Sequence, residues 1–356
     1  MKIHRQSNCR ILVLLLTLAT FVIVGVHFHA VSIANNSYTL VGEEFVNSNA
    51  RLSSLTKKEF VYLAQAESCL SQHITWFIKD ENISKRRDVI VLSWGQPCME
   101  SSANSSGADY FYQKNTTWSE GRNILYRLAM KRREKYRYYI FMDEDIEFSF
   151  TPNTTEDIYS RDAVHPLEAY ENFLLGYEPA IGLCDYCSKC GKFLPNGSIV
   201  PALCCSTRPA DGNLPPILPV TIAFDAAINA FHADAIGHIL PYRLDYEEIS
   251  WWESQKYVIL ASDILFRGQV LRYTHVTAIN NDHRDYPQQI LDNWADILKD
   301  IRNHVPEKLR NHSVFNTEPV VNMVPVITGN VVHTLLWNIS IPEAKTPIVP
   351  YRHFDQ

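Results

Sequence analysis

Asp143, Glu144 and Asp145 close an apolar, aromatic run, "KYRYYIFM", and an alternating pattern resumes with Ile146, Glu147 and Phe148. A run of this kind reads as a buried strand, so its end delivers three negative charges to one edge of the fold. Asp143 and Asp145 fall on the same side if the backbone stays extended. Two hard oxygen ligands at one place suit Mg2+ or Mn2+. An ion held there neutralises a diphosphate and helps it leave. Ligands of a parallel α/β sheet bind at the carboxyl ends of its strands, which is where this run stops. The plainer alternative for so short a pattern is a solvated acidic turn.

The elements that must position these acids can be read on both sides of them. "RRDVIVLSWGQPC" holds a short buried strand, Asp88 to Trp94, closed by Gly95 and Pro97. "NSSGADYFYQKNTT" reads as a loop. "TTWSEGRNILYRLAMKRREKY" reads as a helix, with Thr117 and Glu120 at capping-box spacing, an apolar stripe of Ile124, Leu125, Leu128 and Ala129, and basic residues in the last turns. Strand, helix and strand in that order imply a crossover and a parallel pair. Upstream, "TKKEFVYLAQAESCL" is expected as a helix, with Thr56 and Glu59 again at capping-box spacing. Downstream, "HPLEAYENFLLGYEP" is expected as a helix that carries Pro166 in its first turn. "AIGLC", "YVILAS" and "QVLRYTHV" are expected as strands, and "VTIAFDAAINAFHADAIGHILP" as a strand followed by a helix. "YPQQILDNWADILKDIRNHV" has the stripe of an amphipathic helix, and "RPADGNLPPILP" reads as a Pro-rich loop. The alternation predicts one α/β domain, a mixed and mostly parallel sheet flanked by helices, over residues 56–356.

The chain has 356 residues, of which 46% are hydrophobic and 12% aromatic, too apolar for disorder. Its formal charge of −6 argues against a nucleic-acid partner. Residues 1–10 carry Lys2, Arg5 and Arg10 and no acid, and residues 11–28 are an apolar run about long enough to span a bilayer. The basic flank predicts a cytosolic tail (1–10), a signal-anchor (11–28) and a luminal stem (29–55). The alternative is a signal peptide cleaved near "SIA", residues 32–34, and either form places the domain in the secretory pathway. Eight N-x-S/T sequons follow the apolar run, at Asn35, Asn82, Asn104, Asn115, Asn153, Asn196, Asn311 and Asn338. Seven of the eight cysteines also follow it, and disulfides are expected over a zinc site because the lumen is oxidising.

Taken together, an apolar strand ending in D-x-D behind an N-terminal anchor resembles the GT-A glycosyltransferases of the Golgi. "WSEGRNILYRLA" resembles the "RN…L…A" helix that precedes the D-x-D strand in several such families. The likeness covers mainly residues 86–150, and "DED" here keeps both outer acids of the commoner "DDD". It implies a GT-A-like (Rossmann-like) fold, Mn2+ (or Mg2+) as cofactor, a nucleotide-sugar donor, a glycan or glycoprotein acceptor, and a Golgi membrane location. Asp145 would then ligate the metal, Asp143 would reach the metal or the ribose, and Arg122 and Asn123 would contact the donor. Glu253 and Asp245 are candidates for the carboxylic base, and Trp251 and Trp252 for stacking on an acceptor sugar. Asp225 is a further acceptor contact, and His283, in a polar loop, is the candidate third metal ligand. The competing expectations are an inactive carbohydrate-binding protein of the same fold and a metal-dependent hydrolase, which calls for a denser set of His and Asp.

Overall fold

The computed structural model describes residues 58–71, 74–75, 85–99, 107–152, 158–193, 199–205, 216–220, 226–280, 287, 289, 291, 293–315 and 347–355. The expected tail, anchor and stem lie outside them, and so do Asp225 and His283. Among the described residues no helix is long and apolar enough to cross a membrane.

Among the described residues ten strands form one mixed sheet: β1 (Phe60–Ala66), β2 (Arg87–Ser93), β3 (Asp109–Tyr112), β4 (Tyr138–Asp143), β5 (Ile146–Phe150), β6 (Ile181–Phe193), β7 (Ile199–Cys205), β8 (Ile217–Pro219), β9 (Ile228–His232) and β10 (Val270–Asn280). The order is β3-β2-β1-β4-β9-β6-β10-β5, with β7 on β6 and β8 on β10. β3, β2, β1 and β4 run parallel to one another, and β6 is parallel to β10. β9 is antiparallel to both β4 and β6, and β5 is antiparallel to β10. The helices are α1 (Trp118–Met130), α2 (Pro166–Tyr177), α3 (Ala233–Ile239), α4 (Trp251–Phe266) and α5 (Trp294–His304).

Side-chain alternation divides the core into two layers. Val61, Leu63, Tyr139 and Phe141 face a cluster with Ile124 and Leu125 of α1, Ile236 of α3, Ile259 of α4 and Ile297 of α5. Phe60, Tyr62, Tyr138 and Ile140 face the other way, against Tyr170, Phe173 and Leu174 of α2. Period-two alternation in a strand buried on both faces gives a continuous apolar run. That explains the main correction. "FVYLAQA" is β1, a central strand, and not the helix that its capping-box spacing predicted. β1 lies between β2 and β4, so these two strands flank it and do not pair with each other. The expected loop at 104–117 contains the edge strand β3. "YVILAS" lies within α4, whose buried length hides the helical period.

On the α2 face, Arg87 of β2 forms two bonds with Glu171 of α2, at 2.5 and 2.8 Å, and the Tyr62 hydroxyl donates to the same carboxylate at 2.8 Å. This buried network fixes β1 and β2 against α2. At the opposite, carboxyl ends of the strands, a Cys69–Cys98 disulfide joins the loop after β1 to the loop after β2.

Candidate active site

The phase of β4 decides where its last residue points. Tyr139 and Phe141 face α1, and Asp143, two residues on, shares that face. There Asp143 Oδ1 accepts from Arg122 Nη2 at 2.6 Å and from Trp118 Nε1 at 3.2 Å. Both bonds fall on Oδ1. The Asp143 backbone N–H donates to Ala227 O at 3.0 Å, which holds the strand end against the segment before β9.

Arg122 is only 2% exposed. Its guanidinium lies over the Trp118 ring, 4.2 Å from the centroid, with Phe141 and Tyr242 at 5.6 and 5.9 Å. Nη1 is buried and makes no hydrogen bond among the described residues. Arg122 therefore meets the edge of the sheet through Asp143, because the aromatic cage covers the rest of it.

The helix that brings Arg122 here is set in place at its first turn. Thr117 caps α1, its side chain accepting from Glu120 N. Glu247, from a turn far downstream, accepts from the same N–H at 2.8 Å and from the Thr117 hydroxyl. Burial raises the carboxyl pKa of Glu247 above its usual range, while its bonds with Thr117 and Glu120 oppose the rise. Gln65 of β1 donates to Thr117 O at 3.2 Å, across Gly121, where a Cβ would lie 2.0 Å from the Gln65 amide nitrogen.

The chain turns at Glu144 and Asp145, so the extended spacing assumed between Asp143 and Asp145 does not persist. Glu144 accepts from the Glu67 backbone N–H at 3.0 and 3.1 Å, and the Ser71 hydroxyl donates to Glu144 O. The turn is thus tied to the loop after β1. Asp145, half-buried, immediately precedes β5. Because β5 pairs with β10, Asn280 at the end of β10 lies opposite Ile146, one residue from Asp145.

Several expected site residues are engaged elsewhere. Asn123 is 3% exposed, donates to Tyr242 O at 2.9 Å and accepts from Tyr242 N at 2.8 Å. Its amide, expected at the donor, is committed here to the Tyr242 backbone. Glu253 is wholly buried, pairs with Lys256 at 2.7 Å and accepts from Leu291 N at 2.9 Å. The Glu253 carboxylate, expected as the base, is thus enclosed beside Lys256 and the Leu291 backbone. Asp245 is exposed and pairs with Arg243 at 2.6 Å. Trp251 is half-buried at the start of α4, and Trp252 packs against the α1-side core. Glu247 and Trp118 were passed over in the sequence. Glu247 sits among three neighbouring acids, Asp245, Glu248 and Glu253, with nothing local to single it out, and Trp118 looks like any first-turn aromatic.

The donor chemistry at this edge fits a hard divalent ion. Asp143 and Asp145 are half-buried oxygen donors, and Asp143 keeps Oδ2 outside its bonds with Arg122 and Trp118. Among the described residues no group of three His, Cys, Asp or Glu side chains is placed to hold a metal.

No protein-family model matches the chain, and no curated protein matches it. Solved structures similar to it include two that hold Mn2+. One is GalNAc-T7 with UDP, GalNAc and Mn2+, at 8% identity and a TM-score of 0.40, the match covering 81% of this chain and 59% of that one. The chain thus spans about three-fifths of that protein's length. The other is the mannosyltransferase PcManGT from Pyrobaculum calidifontis in complex with GDP-Man and Mn2+, at 10% identity and a TM-score of 0.37, covering 79% of this chain and 76% of that one.

Proposed function

We propose that the chain is a GT-A-type, metal-dependent glycosyltransferase that moves a sugar from a nucleotide-diphosphate sugar to a hydroxyl of a glycan or glycoprotein in the secretory pathway. The observation that carries this reading is the Asp143–Glu144–Asp145 turn at the carboxyl end of β4, beside the parallel strands β1 and β2. That is the edge at which a sheet of this kind binds its ligand.

Asp143 and Asp145 would hold Mn2+ or Mg2+, with His283 a proposed further ligand. The ion would supply charge neutralisation of the leaving diphosphate. Arg122 and Trp118 orient Asp143, and Glu144 fixes the turn to Glu67. Glu247 takes the proton-accepting role expected of Glu253. It is the downstream acid tied to the first turn of α1, the turn that also supplies Trp118. Its raised pKa makes it a better proton acceptor than an ordinary carboxylate. Trp251 remains the acceptor-stacking candidate.

The secretory, Golgi-membrane location is supported by the apolar run at 11–28 and by the Cys69–Cys98 disulfide. Cys187 is also disulfide-bonded, while Cys184 is a buried thiol with its pKa pushed by burial up to about 12. Two of the sequon asparagines, Asn115 and Asn311, are exposed.

The direct test is hydrolysis of UDP- and GDP-sugars by the full-length chain. Slow turnover that needs Mn2+, and its loss in Asp145→Ala with folding intact, are expected. Wild-type activity in that variant would remove the metal assignment.

A further inference from the structure

We propose that Arg122 is a positioning residue that couples metal binding at Asp143 to the arrival of a diphosphate. The inference rests on the metal-dependent reading of this edge and adds a regulation to it. Its basis is the charge balance around Asp143. Arg122 is almost wholly buried, and among the described residues its one ion-pair partner is Asp143. Three aromatic rings lie around the guanidinium, and Nη1 has no hydrogen bond among the described residues.

A cation held in this way is less screened by solvent and salt than one on the surface. It already neutralises the carboxylate that a metal would use. A divalent ion arriving alone must share Asp143 with the guanidinium and is repelled by it. A nucleoside diphosphate brings two or more negative charges, offsets that repulsion and lets both cations remain. The same contact, with the Trp118 indole, occupies Oδ1 and fixes the rotamer that presents Oδ2. Hydrogen bonds to a ligating carboxylate orient it and set its basicity. Arg122 thus acts on the metal through Asp143, without touching ligand.

The experiment measures Mn2+ affinity by electron paramagnetic resonance on the full-length chain with disulfides intact, first with Mn2+ alone and then with UDP or GDP. The variants are Arg122→Gln, which removes the charge, and Arg122→Lys, which keeps it. The wild type should bind Mn2+ weakly alone and much more tightly with one of the nucleotides. Arg122→Gln should bind Mn2+ alone roughly tenfold more tightly, as expected when a close positive charge is removed, and should lose most of the nucleotide enhancement. Arg122→Lys should keep the wild-type pattern. Unchanged or weaker Mn2+ affinity in a folded Arg122→Gln would overturn the proposal while leaving the site reading intact. If Arg122→Gln does not fold, loss of the enhancement in Arg122→Lys overturns it. Absence of nucleotide-dependent Mn2+ binding in the wild type would overturn both.

Discussion

Asn123→Ala separates a structural role from a donor-binding one. The Asn123 amide makes two buried bonds to one residue, donating to Tyr242 O at 2.9 Å and accepting from Tyr242 N at 2.8 Å. Truncation leaves the buried N–H and C=O of Tyr242 without these partners. Each orphaned neutral group costs about 1–3 kcal/mol, so the loss should be about 3 kcal/mol in all. With a urea m-value of about 3 kcal/mol/M for a domain of this size, the unfolding midpoint should fall by about 1 M. The assay is equilibrium urea unfolding of the full-length chain under non-reducing conditions, run beside calorimetric titration with nucleoside diphosphate and Mn2+ below the transition. Lower stability with nucleotide affinity within about threefold of wild type is the expected pair of results. A stability change under about 1 kcal/mol together with a large loss of affinity would refute the reasoning and return Asn123 to the donor.

Other perturbations follow from the same contacts. Glu247→Gln keeps an oxygen to accept from Glu120 N but cannot take a proton; turnover should fall by about a hundredfold or more with donor affinity and melting temperature little changed, and wild-type turnover would assign Glu247 to helix capping alone. Lys256→Met strands the Glu253 charge in the core and should cost about 3–5 kcal/mol by denaturant unfolding, whereas Glu253→Gln combined with Lys256→Met should recover much of it; equal losses would contradict the pairing. His353 has its pKa lowered by burial, then by Arg267 and His312, to about 4 from 6.5. A depressed histidine favours folding while neutral, so its contribution is present above about pH 6.5 and is lost as pH falls from there toward 4. His353→Gln should flatten that part of the stability–pH curve, and an unchanged slope would exclude the buried neutral form.

What could be read from the sequence is what local patterns determine. The helix before the acids, its Thr117 cap, and the strands "VIVLS" and "YYIFM" all carry their period in the sequence, and α1, β2 and β4 form there. β1 was misread because a strand covered on both faces has no polar phase, and its two flanking residues, Thr56 and Glu59, imitate a helix start. Asp143 could be placed at the strand end from sequence. Its pairing with Arg122 could not, because that contact depends on the phase of β4 relative to α1, 21 residues away in sequence. The surroundings of Glu253 and Asn123 were hidden for a related reason. Polar residues near a candidate site look available in sequence, and only the fold showed Lys256 and the Tyr242 backbone occupying them. Glu247 reaches α1 from 127 residues downstream, a distance over which no local spacing rule applies.

The most direct test of the central claim is calorimetric titration of the full-length chain with UDP and with GDP, each with and without Mn2+, repeated on Asp145→Ala. Binding of one nucleotide that requires Mn2+ and disappears in a folded Asp145→Ala is the predicted result. Absence of nucleotide binding under every condition, or equal binding in Asp145→Ala, would contradict the account and make Asp143–Glu144–Asp145 an acidic turn at the end of a strand.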